Sequence, residues 1–257
     1  MVLTAIAATA QQFDWANYND AFHTSSYTGV TRVDALQAYG DSLYAGLDGV
    51  GHGGSALFKF DKQTGKLLWS AFIEGNDTDY TSGLQVSAVD VNYQGVYIVS
   101  DVSNFFPSSS LVAYSHDGEQ LWQAHSLPPS GAESALFCQM AVDNSGVYVS
   151  GVLEELNGSP AEIFVAKYDL AGSEVWNKTI TVVDDSDVTC SHNLAINQLD
   201  TDDNGTVYFS LAAQREVIVL SNQGDELDRF STSAKLTNTR YFDGYLYATQ
   251  PLQMNDG

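Results

Sequence analysis

Six consecutive residues, Asp200-Thr201-Asp202-Asp203-Asn204-Gly205, place side-chain oxygens at the first, third and fifth positions and glycine at the sixth, as a calcium loop does. Asp200, Asp202 and Asn204 are therefore the candidate metal ligands, and Ca2+ is the ion they suit. The twelfth position, where such a loop needs a bidentate glutamate, is Leu211, and the same residues equally suit a strand-joining turn. The five histidines (His23, His52, His116, His125 and His192) form no HxH or HExxH pattern, and no GxSxG is present. His116, in the turn SHDG, is expected to be exposed. Cys138 and Cys190 belong to no CxxC; they either form one disulfide in a secreted protein or stay buried as thiols. No catalytic or cofactor-binding residue is assigned, and no cofactor beyond Ca2+ is suggested. Sequons begin at Asn76, Asn157, Asn177 and Asn204, each a candidate glycan acceptor in a eukaryotic secreted chain.

The 257 residues carry 10 basic and 32 acidic side chains, a net charge of −22. That balance repels phosphate backbones and anionic membrane surfaces, which excludes nucleic acid as a partner. No apolar run approaches the roughly 20 residues that a membrane-crossing helix needs. The opening MVLTAIAATAQQ ends its short apolar run at Ala8-Thr9-Ala10, a signal-peptidase-like site without a basic start, so residues 1–12 read as a signal-peptide remnant or tail.

The elements that must position any site repeat. Tryptophan stands at Trp15, Trp69, Trp122 and Trp176, at intervals of 54, 53 and 54 residues. The last three close one phrase, LFKFDKQTGKLLW, LVAYSHDGEQLW and IFVAKYDLAGSEVW, with glycine four residues before tryptophan. A fourth copy, VIVLSNQGDELDRF, keeps Gly224, puts Asp228 at the tryptophan position and has Phe230 two residues on. Upstream of each phrase a Gly-containing turn leads into a tyrosine-centred strand, at Tyr44, Tyr97, Tyr148, Tyr208 and Tyr247. With the apolar strand before that turn, each repeat makes four antiparallel strands. Four strands per fifty-odd residues, repeated, predict an all-β chain folded as a β-propeller, its tryptophans packing between blades.

The phrase FKFDKQTGKLLW resembles the repeat of the quinoprotein (PQQ-like) propellers, and MAVDNSGVYVSG followed by IFVAKYDLAGSEVW resembles the SBBP β-propeller repeats of extracellular and cell-surface proteins. The resemblance runs from about residue 30 to residue 230. It implies the blade architecture; the same blade builds dehydrogenases, assembly scaffolds and lectin-like modules. The adjacent cysteines of one quinoprotein class have no counterpart here.

Within a single domain over 13–257, blades are expected at about 30–83, 84–138, 139–192 and 193–239, with a partial fifth over 240–257 joined by residues 13–20. Five full repeats of 54 would need 270 residues, so the count favours a fragment of a larger ring. The functional expectation is a secreted or surface-exposed, non-catalytic interaction or structural module, periplasmic in a bacterium, contacting proteins or glycans through its loops. The alternatives are a quinone- or sugar-handling propeller enzyme and a glycan-binding, lectin-like propeller.

Overall fold

The computed structural model describes residues 32–50, 54–73, 84–102, 108–126, 134–154, 162–180, 196–202, 204–211, 215–233 and 238–249. Trp15, Asn76, Asn157, Cys190 and the segment 13–20 lie outside the described residues.

Every regular element among the described residues is a strand. β1 (Arg32–Tyr39), β2 (Ser42–Val50), β3 (Gly54–Asp61) and β4 (Leu67–Ile73) pair in chain order as the first blade. The second holds β5 (Leu84–Val91), β6 (Val96–Val102), β7 (Ser108–Tyr114) and β8 (Gln120–His125). The third holds β9 (Ser134–Val142), β10 (Val147–Glu154), β11 (Glu162–Tyr168) and β12 (Glu174–Ile180). The fourth holds β13 (Ile196–Thr201), β14 (Val207–Leu211), β15 (Glu216–Leu220) and β16 (Glu226–Ser231). β17 (Asn238–Phe242) and β18 (Tyr245–Thr249) are the first hairpin of a fifth. These are the four-stranded antiparallel propeller blades that the repeat implies. One parallel pairing, Ser108 with Ala135, joins the second and third blades into an eight-stranded sheet.

The first strands of successive blades touch in turn, β1 with β5, β5 with β9, β9 with β13 and β13 with β17, so they are the inner strands. Alternation along a strand sends successive side chains to opposite faces, and each face meets a different neighbouring blade. In β11, Ile163 and Val165 enter the core against the fourth blade, while Phe164, Ala166 and Tyr168 enter the core against the second. A strand buried on both faces cannot alternate apolar with polar, which is why β11 is buried without a break from Ile163 to Tyr168. The outermost β16, by contrast, is exposed along its whole length.

The repeated glycine and tryptophan meet across the blade junctions. The indole Nε1–H groups of Trp69, Trp122 and Trp176 donate to the carbonyls of His116, Leu170 and Asn222 in the next blade, each at 2.9 Å. Two residues after each carbonyl stands Gly118, Gly172 or Gly224, with φ of 90°, 88° and 80°. A Cβ at these glycines would come within 2.9, 2.7 and 2.9 Å of the indole ring. Glycine is thus required both for the left-handed backbone and for the ring that lies on it. Behind each indole, Tyr44, Tyr97 or Tyr148 tilts against it at 6.1, 5.9 and 6.2 Å. In the fourth blade Asp228, opposite Val219, occupies the tryptophan register, and Phe230 is left 39% exposed.

Gly172→Ala and Gly40→Ala separate the two demands, because Gly40 has φ of 55° but nothing within 4 Å of its missing Cβ. Each substitution costs about 1–2 kcal/mol for the left-handed backbone. Displacing Trp122 should raise the Gly172→Ala cost to about 3–5 kcal/mol by denaturant unfolding. Equal costs would show that the indole contact contributes nothing.

Candidate functional site

Most polar side chains inside the fold are gathered at the junctions. Lys59 Nζ donates to the same His116 carbonyl as Trp69, at 2.8 Å, and lies 5.6 Å from the centre of the Tyr44 ring. The expectation of an exposed His116 is corrected: the residue is half-buried against the first blade. Its Nδ1 pairs with the Tyr44 hydroxyl at 2.9 Å and its Nε2 with the Asn92 carbonyl at 3.0 Å. Since a carbonyl only accepts, the proton sits on Nε2 and Nδ1 accepts from the tyrosine. Its ring also stacks on Tyr39 at 5.5 Å. Two junctions on, buried Lys167 bonds Asn222 Oδ1, reaches Ser145 Oγ at 3.1 Å and lies 5.0 Å from the centre of the Tyr148 ring. Burial pushes its pKa down, against the pull of Asp143.

A second set of charges lies on the inner strands. The residues opposite the repeat tyrosines are Gln37, Asp90, Ala141, Asp200 and Arg240, one per blade, so they occupy one tier of the inner strands. Asp90 accepts Val91 N and, from the third blade, Val142 N, both at 2.8 Å. Asp200 accepts Thr201 N at 3.0 Å and, from the fifth blade, Tyr241 N at 2.6 Å, with Arg240 Nη1 3.9 Å away. Burial lifts Asp90 to about 6, against the two amides and Arg240, with Asp200 adding repulsion. Burial raises Asp200 as well. The two devices alternate along the run of described blades. Lysine reinforces the first-to-second and third-to-fourth junctions, where the Asp90 tier position is Gln37 and Ala141. Aspartate ties the second-to-third and fourth-to-fifth, where the lysine register holds Ala113 and Val219.

Of the residues proposed as calcium ligands, Asp200 thus spends its carboxylate on backbone amides of two blades. Asp202 Oδ1 caps its own hairpin by accepting Asn204 N at 2.9 Å and Thr206 N at 2.8 Å, and Asn204 is exposed. Asn92 and Asp143 cap the equivalent turns of the second and third blades in the same way. Asp202 and Asn204 thus take part in the fourth blade's counterpart of the turn found in the second and third blades. Among the described residues no three His, Cys, Asp or Glu side chains converge as a metal site. Cys138 is buried in β9 and disulfide-bonded. Asn177 lies exposed on β12.

The third blade also carries a cleft of about 290 Å³ on its face toward the second. Its walls are Phe137, Leu153, Phe164 and Tyr168, with Ser126 at the second-blade side and Glu174, Asn177 and Thr179 on the outer lip. Phe137 packs at 5.9 Å from Phe164 and edge-on at 6.2 Å from Tyr168, whose hydroxyl donates to Glu174 Oε2 at 3.5 Å. Gly151 makes room for this wall, since a Cβ there would lie 2.4 Å from Phe164 Cζ. Sequence reasoning missed Lys59, Asp90, Lys167 and Arg240. For the first three the signal is a lone charge inside an apolar strand, as in FKF, AVDV and VAKY, where burial demands a partner.

No family model matches the sequence, and no curated protein matches it. Solved structures do. The chain is similar to the Dos1 propeller at a TM-score of 0.53 and 15% identity, covering 81% of this chain and 51% of that one. Saccharomyces cerevisiae Sqt1 gives 0.52 and 14%, covering 86% and 56%. A europium-containing methanol dehydrogenase gives 0.52 and 15%, covering 76% and 40%. At these identities the likeness establishes the propeller fold alone, and the chain spans between 40% and 56% of those proteins' lengths.

The carboxylate tier predicts a pH dependence. Because Asp90 titrates near 6 in the fold and near 3.8 when unfolded, its stabilising contribution is complete below about pH 4 and is lost as pH rises through 6. The difference is about 1–3 kcal/mol. Relief of the net charge of −22 on acidification acts in the same direction. The informative quantity is therefore the pH 5 minus pH 7.5 difference in Tm, which should shrink in Asp90→Asn. An unchanged difference would remove Asp90 as its source.

Proposed function

We propose that the chain is an extracytoplasmic propeller module that works by contact, as a structural or interaction part of an assembly outside the cell or in a periplasm. The observation that carries this reading is that the inner charged side chains of Asp90, Asp200, Lys59 and Lys167 are spent on holding blades to one another. The aromatic surface of the fifth-blade hairpin supports it: Phe242 is 71% exposed, Tyr245 67% and Tyr247 55%, with the two tyrosine rings 6.4 Å apart. Aromatic rings presented together on rigid strands supply contact area at little entropic cost. The disulfide-bonded Cys138 supports an oxidising compartment.

A quinone- or sugar-handling enzyme is the second reading, favoured by the tier of Asp90, Asp200 and Arg240 around the axis, where a carboxylate titrating near 6 could exchange protons. A photo-crosslinking residue at Tyr245 or Tyr247, introduced in the native source, separates the two. The contact reading predicts a discrete crosslinked partner from these positions and none from Leu68 on β4. No crosslink, together with stoichiometric binding of added pyrroloquinoline quinone, would overturn it in favour of the enzyme.

A further inference from the structure

The cleft on the third blade and the sequon Asn177-Lys178-Thr179 occupy the same place. Asn177 and Thr179 are two residues apart on β12, so they share a strand face, and both line the cleft from its outer lip. Both are exposed, so the acceptor amide is at the surface while the space beside it runs inward to aromatic walls. About 290 Å³ lies at the lower end of the range for small-molecule sites, room for a single sugar ring with its substituents. The chemistry of the walls is that of a sugar site. Phe164 and Tyr168 form the aromatic inner wall, while the exposed Glu174 and Thr179 on the lip offer groups for hydroxyls and an N-acetyl amide. Cys138, adjacent to the wall residue Phe137, is disulfide-bonded, which fits the compartment in which N-linked glycans are added.

We propose that Asn177 is N-glycosylated and that the innermost N-acetylglucosamine folds into this cleft, covering the gap between the second and third blades. The transfer uses a polyprenyl-diphosphate-linked oligosaccharide. Asn177 Nδ2 loses one proton and bonds to the sugar's anomeric carbon, and the C1–O bond breaks with the diphosphate leaving on its electron pair. The exposed Asn204 sequon lies in a hairpin turn and is outside the lining of this cleft, so a glycan there would stand in solvent.

The test is glycopeptide mass spectrometry on the full chain secreted from a eukaryotic cell, followed by enzymatic release of the glycan from folded and unfolded protein. Asn177 should be occupied, and its release should be at least about tenfold slower from the folded protein, because the linkage is reached only on local opening. Glu174→Ala leaves the sequon intact while removing the lip carboxylate that accepts the Tyr168 hydroxyl, and it should bring folded-state release to within about threefold of the unfolded rate. An unmodified Asn177 would overturn the site. Occupancy with equal release rates from folded and unfolded protein would overturn the seating of the sugar, whatever the fate of the contact reading above.

Discussion

An indole resting on a glycine that has no side chain to spare holds each of the first three described blade junctions. A blade alone cannot cover both of its faces, so its stability comes from its neighbours, and the neighbours must be held at one angle and one height. Area burial alone does not fix height, because apolar faces can slide. The indole N–H fixes it, since the bond from Trp69, Trp122 or Trp176 reaches one carbonyl only when the two blades are in register. The left-handed glycine then lets the ring lie flat on the turn that presents that carbonyl.

Charge is used sparingly inside this frame. With only ten basic residues against 32 acidic, each buried cation has a defined acceptor. Lys59 and Lys167 bond the turns that also receive the indoles, and at the surface the exposed Arg240 faces the carboxylate of Asp200. The alternation of lysine and aspartate junctions means that each contact between blades carries one charged tie in addition to its apolar core. Where Asp228 replaces tryptophan, the fourth-to-fifth junction is held instead by Asp200 on Tyr241 N and by the stacked rings of Tyr208 and Tyr241, 4.8 Å apart.

The architecture was legible because it repeats: tryptophan at intervals of 53 or 54 residues, with glycine four before it in three copies, marks the same contact at three successive junctions. The strands followed from tyrosine-centred alternation for the same reason. The inner tier was not legible, since Asp90, Asp200 and Arg240 lie in successive or alternate repeats and only the pairing register shows that they share one level. The calcium-like spacing at Asp200–Gly205 overlaps with turn chemistry, because an Asx residue capping its own hairpin needs the same oxygens in nearly the same order. His116 was misread because a histidine in a polar turn gives no local sign that the turn docks on another blade. The cleft on the third blade needed the third dimension, which brings Phe137 of β9 and Thr179 of β12 to its lining.

The central claim, that the indole contacts hold neighbouring blades in register, is tested most directly by hydrogen exchange of the indole N–H groups, followed by NMR. The account predicts that Trp69, Trp122 and Trp176 exchange only on large-scale opening, at rates close to the slowest amides of the buried β6 and β10. Indole exchange as fast as that of a free side chain, with those amides still protected, would contradict it.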